Sequence, residues 1–155
     1  MASGKESGEK LIASNKKALH DYFVLQKLEA GIELTGTEVK SLRDGKANLK
    51  DSYVAIEGTQ AYLVGTHISP YSHGNIANHD PERKRRLLLH KREIGKLHEQ
   101  IQEKGLTVVP LRMYFKSGRV KTEIAVVRGK KLFDKRESEK RREQEREAAA
   151  AMKVR

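Results

Sequence analysis

The sequence predicts a mainly β fold with helices, namely an OB-like closed barrel with about three embedded helices and a basic C-terminal tail. Several short segments, joined by glycine-containing turns, carry apolar residues that alternate or run together, which is typical of strands. Other segments place apolar residues at helical spacing and close with a glycine. Residues 134–147 contain no apolar residue that could pack against a domain.

The first elements follow from local residue types. Residues 1–10 combine Gly, Ser, Lys and Glu without apolar periodicity, so we expect a disordered N-terminus. Residues 22–34 predict a long strand that bends at Gly31. A short helix follows, with Thr37 as its N-cap and Gly45 at its end. The polar face of this helix would carry Glu38, Lys40 and Arg43.

The middle of the chain predicts two hairpins separated by a loop and a helix. Residues 53–64 form the first hairpin, with a turn at its centre that contains Gly58. Residues 67–81 are rich in Ser, Gly, Asn, His and Pro, which indicates a long surface loop. The apolar spacing in residues 90–104 predicts an amphipathic helix. Residues 106–127 then form the second hairpin.

We therefore divide the chain into an N-terminus (1–10), one barrel domain (11–131) and a tail (132–155). The tail contains strong helix formers but has no apolar face to bury. Because short helices are marginal alone in water, we expect a tail that is disordered when free and helical against a partner.

The formal net charge of +11 on 155 residues favours a polyanionic partner. Residues 128–155 contain eleven Lys or Arg and six Asp or Glu, so both the domain and the tail are basic. The absence of cysteine excludes disulfides, thiolate nucleophiles and Cys-type metal sites. No long apolar run is present, and we expect a soluble, cytoplasmic protein that does not bind membranes.

Enzyme motifs are absent from the sequence, which contains no phosphate-binding P-loop and no GxGxxG, HExxH or GxSxG motif. One metal-binding alternative remains, because His67, His73 and His79 are evenly spaced in the long loop and imidazole is a common zinc ligand. No regular element enforces this spacing, so we favour loop histidines that hydrogen-bond or stack. We predict no enzyme activity, no metal and no cofactor.

Four basic clusters predict an RNA-binding surface. They lie at residues 15–17, 40–46, 83–86 and 129–131. Lysine and arginine would neutralise phosphates, while aromatic side chains would stack on unpaired bases. RNA is favoured over DNA because the sequence has no helix-turn-helix, zinc finger or basic zipper. A general ribosomal or single-strand RNA-binding protein remains the alternative to a protein with one specific RNA partner.

The combination of motifs resembles small protein B, the SsrA-binding protein family of bacteria. The matching motifs are Gly36-Thr37-Glu38-Val39-Lys40-Ser41-Leu42-Arg43, Gly45-Lys46-Ala47-Asn48, Asp80-Pro81, Arg85-Arg86-Leu87-Leu88-Leu89-His90, Gly129-Lys130-Lys131 and Asp134-Lys135-Arg136. The resemblance implies an OB-like, non-enzymatic protein that binds the tRNA-like domain of transfer-messenger RNA (tmRNA). We expect this protein to be a monomer. With elongation factor Tu and GTP, it would deliver this RNA to stalled ribosomes, and its tail would occupy the empty mRNA channel.

The resemblance also implies roles for individual residues. The positions associated with tmRNA binding are Asn15, Lys16, Glu38, Lys40, Ser41, Arg43, Lys46 and Leu89. The positions associated with the ribosomal decoding centre and the tail are Gly129, Lys130, Lys131, Phe133, Asp134, Lys135, Arg136 and Met152. Glu38 would accept hydrogen bonds from base amino groups or hold Lys40 or Arg43 against phosphates. Leu89 has core packing as its alternative. Phe133 replaces a histidine found in many relatives, so it can stack but cannot carry charge.

Overall fold

A computed structural model describes residues 8–71 and 78–130. Strands dominate this part of the chain and three helices interrupt them. In chain order the elements are β1 (Glu9–Ser14), α1 (Lys16–Asp21), β2 (Tyr22–Ile32), α2 (Gly36–Arg43), β3 (Ala47–Asn48), β4 (Tyr53–Glu57), β5 (Gln60–Val64), β6 (His67–Ile68), β7 (Arg85–Leu88), α3 (Lys91–Gln102), β8 (Leu106–Lys116) and β9 (Arg119–Gly129).

Seven strands form one antiparallel sheet in the order β1-β8-β9-β2-β7-β5-β4. The two predicted hairpins are confirmed, since β4 pairs with β5 and β8 pairs with β9. The long strand β2 lies between β9 and β7, with Leu28 opposite Ile124 and Ile32 opposite Leu87. The short strands β3 and β6 pair with each other as a separate ribbon.

The structure confirms a mainly β, antiparallel fold with three helices, but the prediction of a closed barrel is wrong. Among the described residues, β1 and β4 are the two edges of the sheet and do not pair with each other. The sheet curves so that β4 approaches β8, and α3 packs against β8, β4 and β5. Helix α3 therefore fills the space inside the curve with Ile94 and Leu97, and side-chain packing takes the place of a closing backbone ladder.

Helices on both sides of the sheet explain an unbroken run of buried residues in β8. Val108 belongs to the main core, which also contains the α3 residues Ile94 and Leu97. Val109 and Leu111 belong to a smaller cluster with Ala18 of α1. A strand covered on both faces loses the apolar and polar alternation of a half-buried strand.

Several element boundaries differ from the predictions. Strand β1 begins at Glu9, before the expected boundary at Leu11, because it pairs with β8. The N-cap of α2 is Thr35 and not Thr37, since the Thr35 hydroxyl accepts a hydrogen bond from the Glu38 backbone. Helix α1 and strands β1, β3 and β7 were not predicted, and β6 lies within the predicted loop of residues 67–81.

Gly65, after β5, offers a test of close packing in a turn. Its φ is +85°, and an added Cβ would lie 3.2 Å from the carbonyl oxygen of Asp51. An L residue with positive φ destabilises the folded state by about 1–2 kcal/mol, and at position 65 the new Cβ would also crowd the Asp51 carbonyl oxygen. We therefore expect Gly65→Ala to lower the free energy of unfolding by about 2–3 kcal/mol. Gly58→Ala is the matched control, since Gly58 has a φ of +61° and open space around it. Urea unfolding in which both variants lose the same free energy would contradict the role of the Asp51 contact.

Candidate nucleic-acid interface

Helix α2 is fixed by a carboxylate that lies fully inside the protein. Glu38 and Arg85 both have 0% of their side chains exposed, and Arg85 Nε donates to Glu38 Oε2 at 2.6 Å. Arg83 Nη2 donates to Glu38 Oε1 at 2.7 Å, and the Thr35 backbone N–H donates to the same oxygen at 2.8 Å. Arg85 also donates to the carbonyls of Thr66 and Pro81. Every charge in this group is therefore hydrogen-bonded, as buried ions require.

The same contacts determine the ionisation of Glu38. Burial disfavours the charged carboxylate, but the hydrogen bonds from Arg83, the Thr35 backbone and Arg85 outweigh burial and lower the pKa of Glu38 to about 2. Glu38 is consequently ionised throughout the physiological pH range.

These contacts correct two expectations about α2. Glu38 does not lie on the exposed polar face of the helix, and its carboxylate pairs with Arg83 and Arg85 where Lys40 or Arg43 was expected. The interpretation of residues 83–86 as a phosphate-binding cluster is wrong for Arg85, which is buried. Acidic partners lie beside the others as well, since Lys84 pairs with Glu57 and Arg86 pairs with Glu33.

The exposed side of α2 and the turn after it is basic. Lys40, Arg43 and Lys46 are exposed, and Lys40 and Arg43 lie three positions apart on the helix. The Lys40 ammonium lies 5.7 Å from the centroid of the Tyr71 ring. Ser41, in contrast, is buried and donates to the Ser69 carbonyl at 2.6 Å. Of the predicted residues in α2 and the turn after it, the three cations are exposed, while Glu38 and Ser41 hold the helix in place.

Asn15 is a buried structural residue at the start of α1. Its side-chain oxygen accepts from the Ala18 backbone, and its Nδ2 donates to the carbonyls of Pro110 and Leu49 at 2.9 and 3.3 Å. Lys16 beside it is exposed. The bond to Leu49 joins the start of α1 to the segment after α2, so Asn15 links two basic regions.

Leu88, which the sequence analysis did not single out, is exposed, whereas the predicted Leu89 packs partly against the core. Side chains alternate along β7, so that Leu87 points inward and Leu88 outward. The sequence does not show which of the three leucines points outward, because all three are equally apolar. The direction follows from Arg85, which is buried, so that Leu87, two positions later, is also buried and Leu88 is exposed. The Leu88 Cβ lies 3.2 Å from where a Cβ on Gly31 would be, so Leu88 rests on the glycine of β2.

Two depressions flank Leu88. The larger has a volume of about 520 Å³ and includes Glu29, Arg86 and Lys91 in its lining. The smaller has a volume of about 250 Å³ and includes Val39 of α2 and Arg119. Gly31, Leu88 and Lys121 line both. An exposed apolar side chain between basic depressions is the arrangement expected where bases and phosphates are bound together.

Glu29 places a carboxylate in these basic surroundings. The Tyr114 hydroxyl donates to Glu29 Oε2, and Lys116 Nζ lies 3.2 Å from the same oxygen. The hydrogen bond from Tyr114 is the main cause that lowers the pKa of Glu29, and Lys116 adds to it. Glu29 is thus an oriented hydrogen-bond acceptor beside Leu88, which sequence reasoning also missed.

The C-terminal end of β9 holds two further predicted residues. Gly129 lies opposite Tyr22, and the Lys130 ammonium lies 5.1 Å from the centroid of the Phe23 ring. The remaining predictions for this region lie outside the described residues, namely Lys131, Phe133, Asp134, Lys135, Arg136 and Met152.

The described loop histidines are engaged in protein contacts. The ring nitrogens of His79 lie 2.9 Å from the Thr37 hydroxyl and 2.8 Å from the Ile68 carbonyl oxygen. His67 lies 3.5 Å from Glu82, and His73 is outside the described residues. Within residues 8–71 and 78–130, no three His, Cys, Asp or Glu side chains are grouped to hold a metal ion. None of the helices described in these two segments is long and apolar enough to span a membrane.

Comparison with known proteins identifies the family. A family model described as SmpB protein matches residues 12–154. The chain belongs to the SmpB family. It is 59% identical over 147 residues to the SsrA-binding protein of Geotalea uraniireducens (strain Rf4), which covers 95% of this chain and 97% of the relative. It is 57% identical to the SsrA-binding protein of Geobacter sulfurreducens (strain ATCC 51573 / DSM 12127 / PCA), covering 94% and 95%.

A solved SmpB structure has the same overall architecture. It is described as "tmRNA-SmpB: a journey to the center of the bacterial ribosome" and is similar to this chain with a TM-score of 0.66 and 48% identity. The similarity covers 76% of this SmpB-family chain and 83% of the other.

The buried Glu38 predicts a specific acid dependence of stability. Because the pKa of Glu38 in the folded protein is about 2 and its ordinary value is 4.5, the folded state binds fewer protons than the unfolded state between these values. The contribution of Glu38 to the free energy of unfolding is therefore complete above about pH 4.5 and is lost as the pH falls toward 2.

We expect Glu38→Gln to lower the free energy of unfolding by about 3–5 kcal/mol at neutral pH, since it leaves two arginines without their buried partner. Urea unfolding at several pH values should also show a weaker acid dependence for this variant. Glu57→Gln removes an exposed partner of Lys84 and serves as the control, with little change expected. An unaltered acid dependence in Glu38→Gln would contradict the assignment.

Proposed function

We propose that this chain binds SsrA RNA, the transfer-messenger RNA, and acts with the ribosome in trans-translation as a non-enzymatic RNA-binding protein. Its membership of the SmpB family and its high identity to SsrA-binding proteins support this function. The structural observation that carries the proposal is the exposed Leu88 between two depressions, both of which are lined by Lys121.

The residues around Leu88 suit different parts of an RNA. Arg119 and Lys121 would neutralise phosphates, which gives affinity without sequence preference. Leu88 would pack against the face of an unpaired base or a ribose. The Glu29 carboxylate would accept hydrogen bonds from base amino groups, because Tyr114 and Lys116 hold it in place. We therefore assign the specific contacts to Glu29 and Leu88, and we assign Asn15, Glu38, Ser41 and Leu89 to supporting that surface.

Helix α2 would extend this surface. Val39 lines the smaller depression beside Leu88, and Lys40, Arg43 and Lys46 are exposed on the helix and the turn after it. With Lys16 at the start of α1, they would provide phosphate contacts along the RNA.

The finer assignments follow from the family resemblance. The RNA region bound would be the tRNA-like domain, and delivery to stalled ribosomes in the cytoplasm would involve elongation factor Tu and GTP. The protein would act as a monomer, with residues 11–131 as the RNA-binding domain. Gly129, Lys130, Lys131, Phe133, Asp134, Lys135 and Arg136 would lie in the decoding centre. The tail of residues 132–155, including Met152, would detect an empty mRNA channel.

Leu88 and Leu89 give a paired test of the RNA-binding surface. We expect Leu88→Ala to weaken tmRNA binding about tenfold and to change the free energy of unfolding by less than about 1 kcal/mol, because 45% of Leu88 is exposed in the free protein and would be covered by the RNA. Leu89→Ala should instead lower the free energy of unfolding by about 1–3 kcal/mol, since Leu89 packs against the core. Electrophoretic-shift titration at fixed salt and urea unfolding measure the two effects.

An equal loss of affinity in both variants would contradict the assignment of Leu88. Competition with an unrelated tRNA at the same salt concentration separates specific recognition from general RNA binding. Similar affinities for both RNAs would favour a general RNA-binding protein.

Deletion of residues 134–155 tests the division between domain and tail. This segment contains eight Lys or Arg and six Asp or Glu, so its removal changes the net charge by only two. We therefore expect tmRNA affinity to change by less than about threefold, whereas peptide tagging on stalled ribosomes should be abolished. Parallel measurement of affinity and of tagging in a reconstituted translation system checks both. Equal loss of binding and tagging would contradict the division.

A further inference from the structure

One edge of β2 is only partly used by the sheet, namely the edge that faces away from β9. Within the described residues, β7 pairs with this edge at Gly31 and Ile32, and the Glu33 backbone N–H then donates to a β7 carbonyl at 2.9 Å. Because the backbone groups of an antiparallel strand point alternately to its two sides, this bond fixes the direction of every second residue. Lys27 and Glu29 therefore direct their N–H and C=O groups toward the same side as Glu33.

The backbone groups of Lys27 and Glu29 have no ladder partner among the described strands. The pairing of β2 with β9 runs without a register shift from Gln26 to Gly31, so the alternation holds along this stretch. No strand in the described part of the chain pairs with Lys27 or Glu29 on the side away from β9, and both residues are exposed. This edge thus presents N–H donors and carbonyl acceptors in the spacing of a β ladder, which is a template for another strand.

The unfilled position is the one that β7 would occupy if it continued. In the register of β7, His90 would then lie opposite Glu29. The chain turns away instead, since α3 begins at Lys91 and Glu93 caps it by accepting a hydrogen bond from the His90 backbone N–H at 2.9 Å. A groove of about 610 Å³ lies between α3 and this part of β2, and its lining includes Gln26. We call it the α3–β2 groove.

The chemistry of the α3–β2 groove favours an acidic segment. Leu28 and Leu97 give the groove apolar surface, while Arg92 and Lys96 line it from α3. Lys27 adds a third cation on the adjoining edge of β2. None of the ion pairs within the described residues involves these three cations. Carboxylates of a partner would therefore meet cations that are not already paired.

Two glutamates also line the groove, but they do not cancel its positive charge. Glu93 accepts the hydrogen bond that caps α3, so its carboxylate is already engaged. Glu99 then remains as one carboxylate against three cations, and the whole chain carries a net charge of +11. The local charge and the overall charge both favour an acidic partner.

We propose that the edge of β2 at Lys27 and Glu29 docks an extended acidic segment of a partner protein, which adds to the sheet as a strand. A polypeptide supplies both the N–H and the C=O groups that such an edge requires. RNA phosphates accept hydrogen bonds but do not donate them, so they would leave the edge carbonyls unpaired. A second copy of this chain would bring together two molecules with a net charge of +11 each.

This docking site uses different groups from the proposed RNA-binding surface. Glu29 contributes to that surface through its side chain, which Tyr114 and Lys116 hold, whereas it contributes to strand addition through its backbone. The full-length protein without RNA is therefore the right material for a test, and the outcome does not depend on the RNA-binding proposal.

Amide hydrogen exchange, measured by NMR on the full-length protein, tests strand addition. Without a peptide, we expect the Lys27 and Glu29 amides to exchange at least about tenfold faster than the Leu28 amide, which points toward β9. Addition of a heptapeptide in which Glu and Val alternate should slow exchange at Lys27 and Glu29 by at least about threefold and leave Leu28 unchanged. Unchanged exchange at Lys27 and Glu29 in millimolar peptide would overturn the proposal.

Two controls separate strand addition from simple charge attraction. A fully N-methylated form of the heptapeptide keeps its side chains and its charge but cannot donate to the edge, so we expect it to bind at least about tenfold more weakly in fluorescence anisotropy. Lys96→Ala should weaken binding of the unmodified peptide about threefold, whereas Lys50→Ala, which removes an exposed lysine outside the groove, should leave it unchanged.

Other results would also overturn the proposal. Equal affinities for the two peptides would show that charge alone causes binding, and equal effects of the two lysine variants would exclude the α3–β2 groove from the binding site. Exchange at Lys27 and Glu29 that slows with rising protein concentration, in the absence of peptide, would assign the edge to a second copy. Slower exchange there with tmRNA alone would assign the edge to RNA.

Discussion

The ion pair between Glu38 and Arg85 joins helix α2 to strand β7 inside the protein. Arg85 extends the connection to the carbonyls of Thr66 and Pro81, which lie at the two ends of the segment that carries the long loop. A buried charge without its partner would be strongly destabilising, so these elements have one stable arrangement. The exposed cations of α2 and the outward position of Leu88 both follow from it, because each lies on an element that the pair holds.

This arrangement explains why a strongly basic chain presents only part of its charge to a partner. Arg83 and Arg85 neutralise a carboxylate inside the fold, while Lys84 and Arg86 face Glu57 and Glu33 on the surface. Among the cations of the described region, those on the exposed side of α2 and around Leu88 are the ones that we propose meet phosphates. Net charge alone therefore overstates the basic surface, and the distribution of acidic partners determines where an RNA is held.

The sequence predicted part of the secondary structure but not the direction of the side chains. Both hairpins and helix α3 follow from turn residues and apolar spacing, which are local properties. The open sheet was not predictable, because it depends on α3 packing between distant strands. From the sequence, Glu38 is expected to be an exposed helix residue. Its burial depends on Arg83 and Arg85, which are more than forty positions away in sequence. Leu88 and Leu89 are indistinguishable in a leucine run, since only the register of β7 assigns one to the surface.

The pairing of β1 with β8 has a consequence for synthesis of the protein. Glu9 lies opposite Lys116, so the first strand of the sheet has no backbone partner until nearly three-quarters of the chain has been made. Strand β2 waits longer still for its main partner β9, which begins at Arg119. The nascent chain can form the β4–β5 hairpin early, but β1 and most of β2 remain unpaired until β8 and β9 have been made. Completion of the sheet is therefore a late event, which occurs only as the start of the tail is being translated.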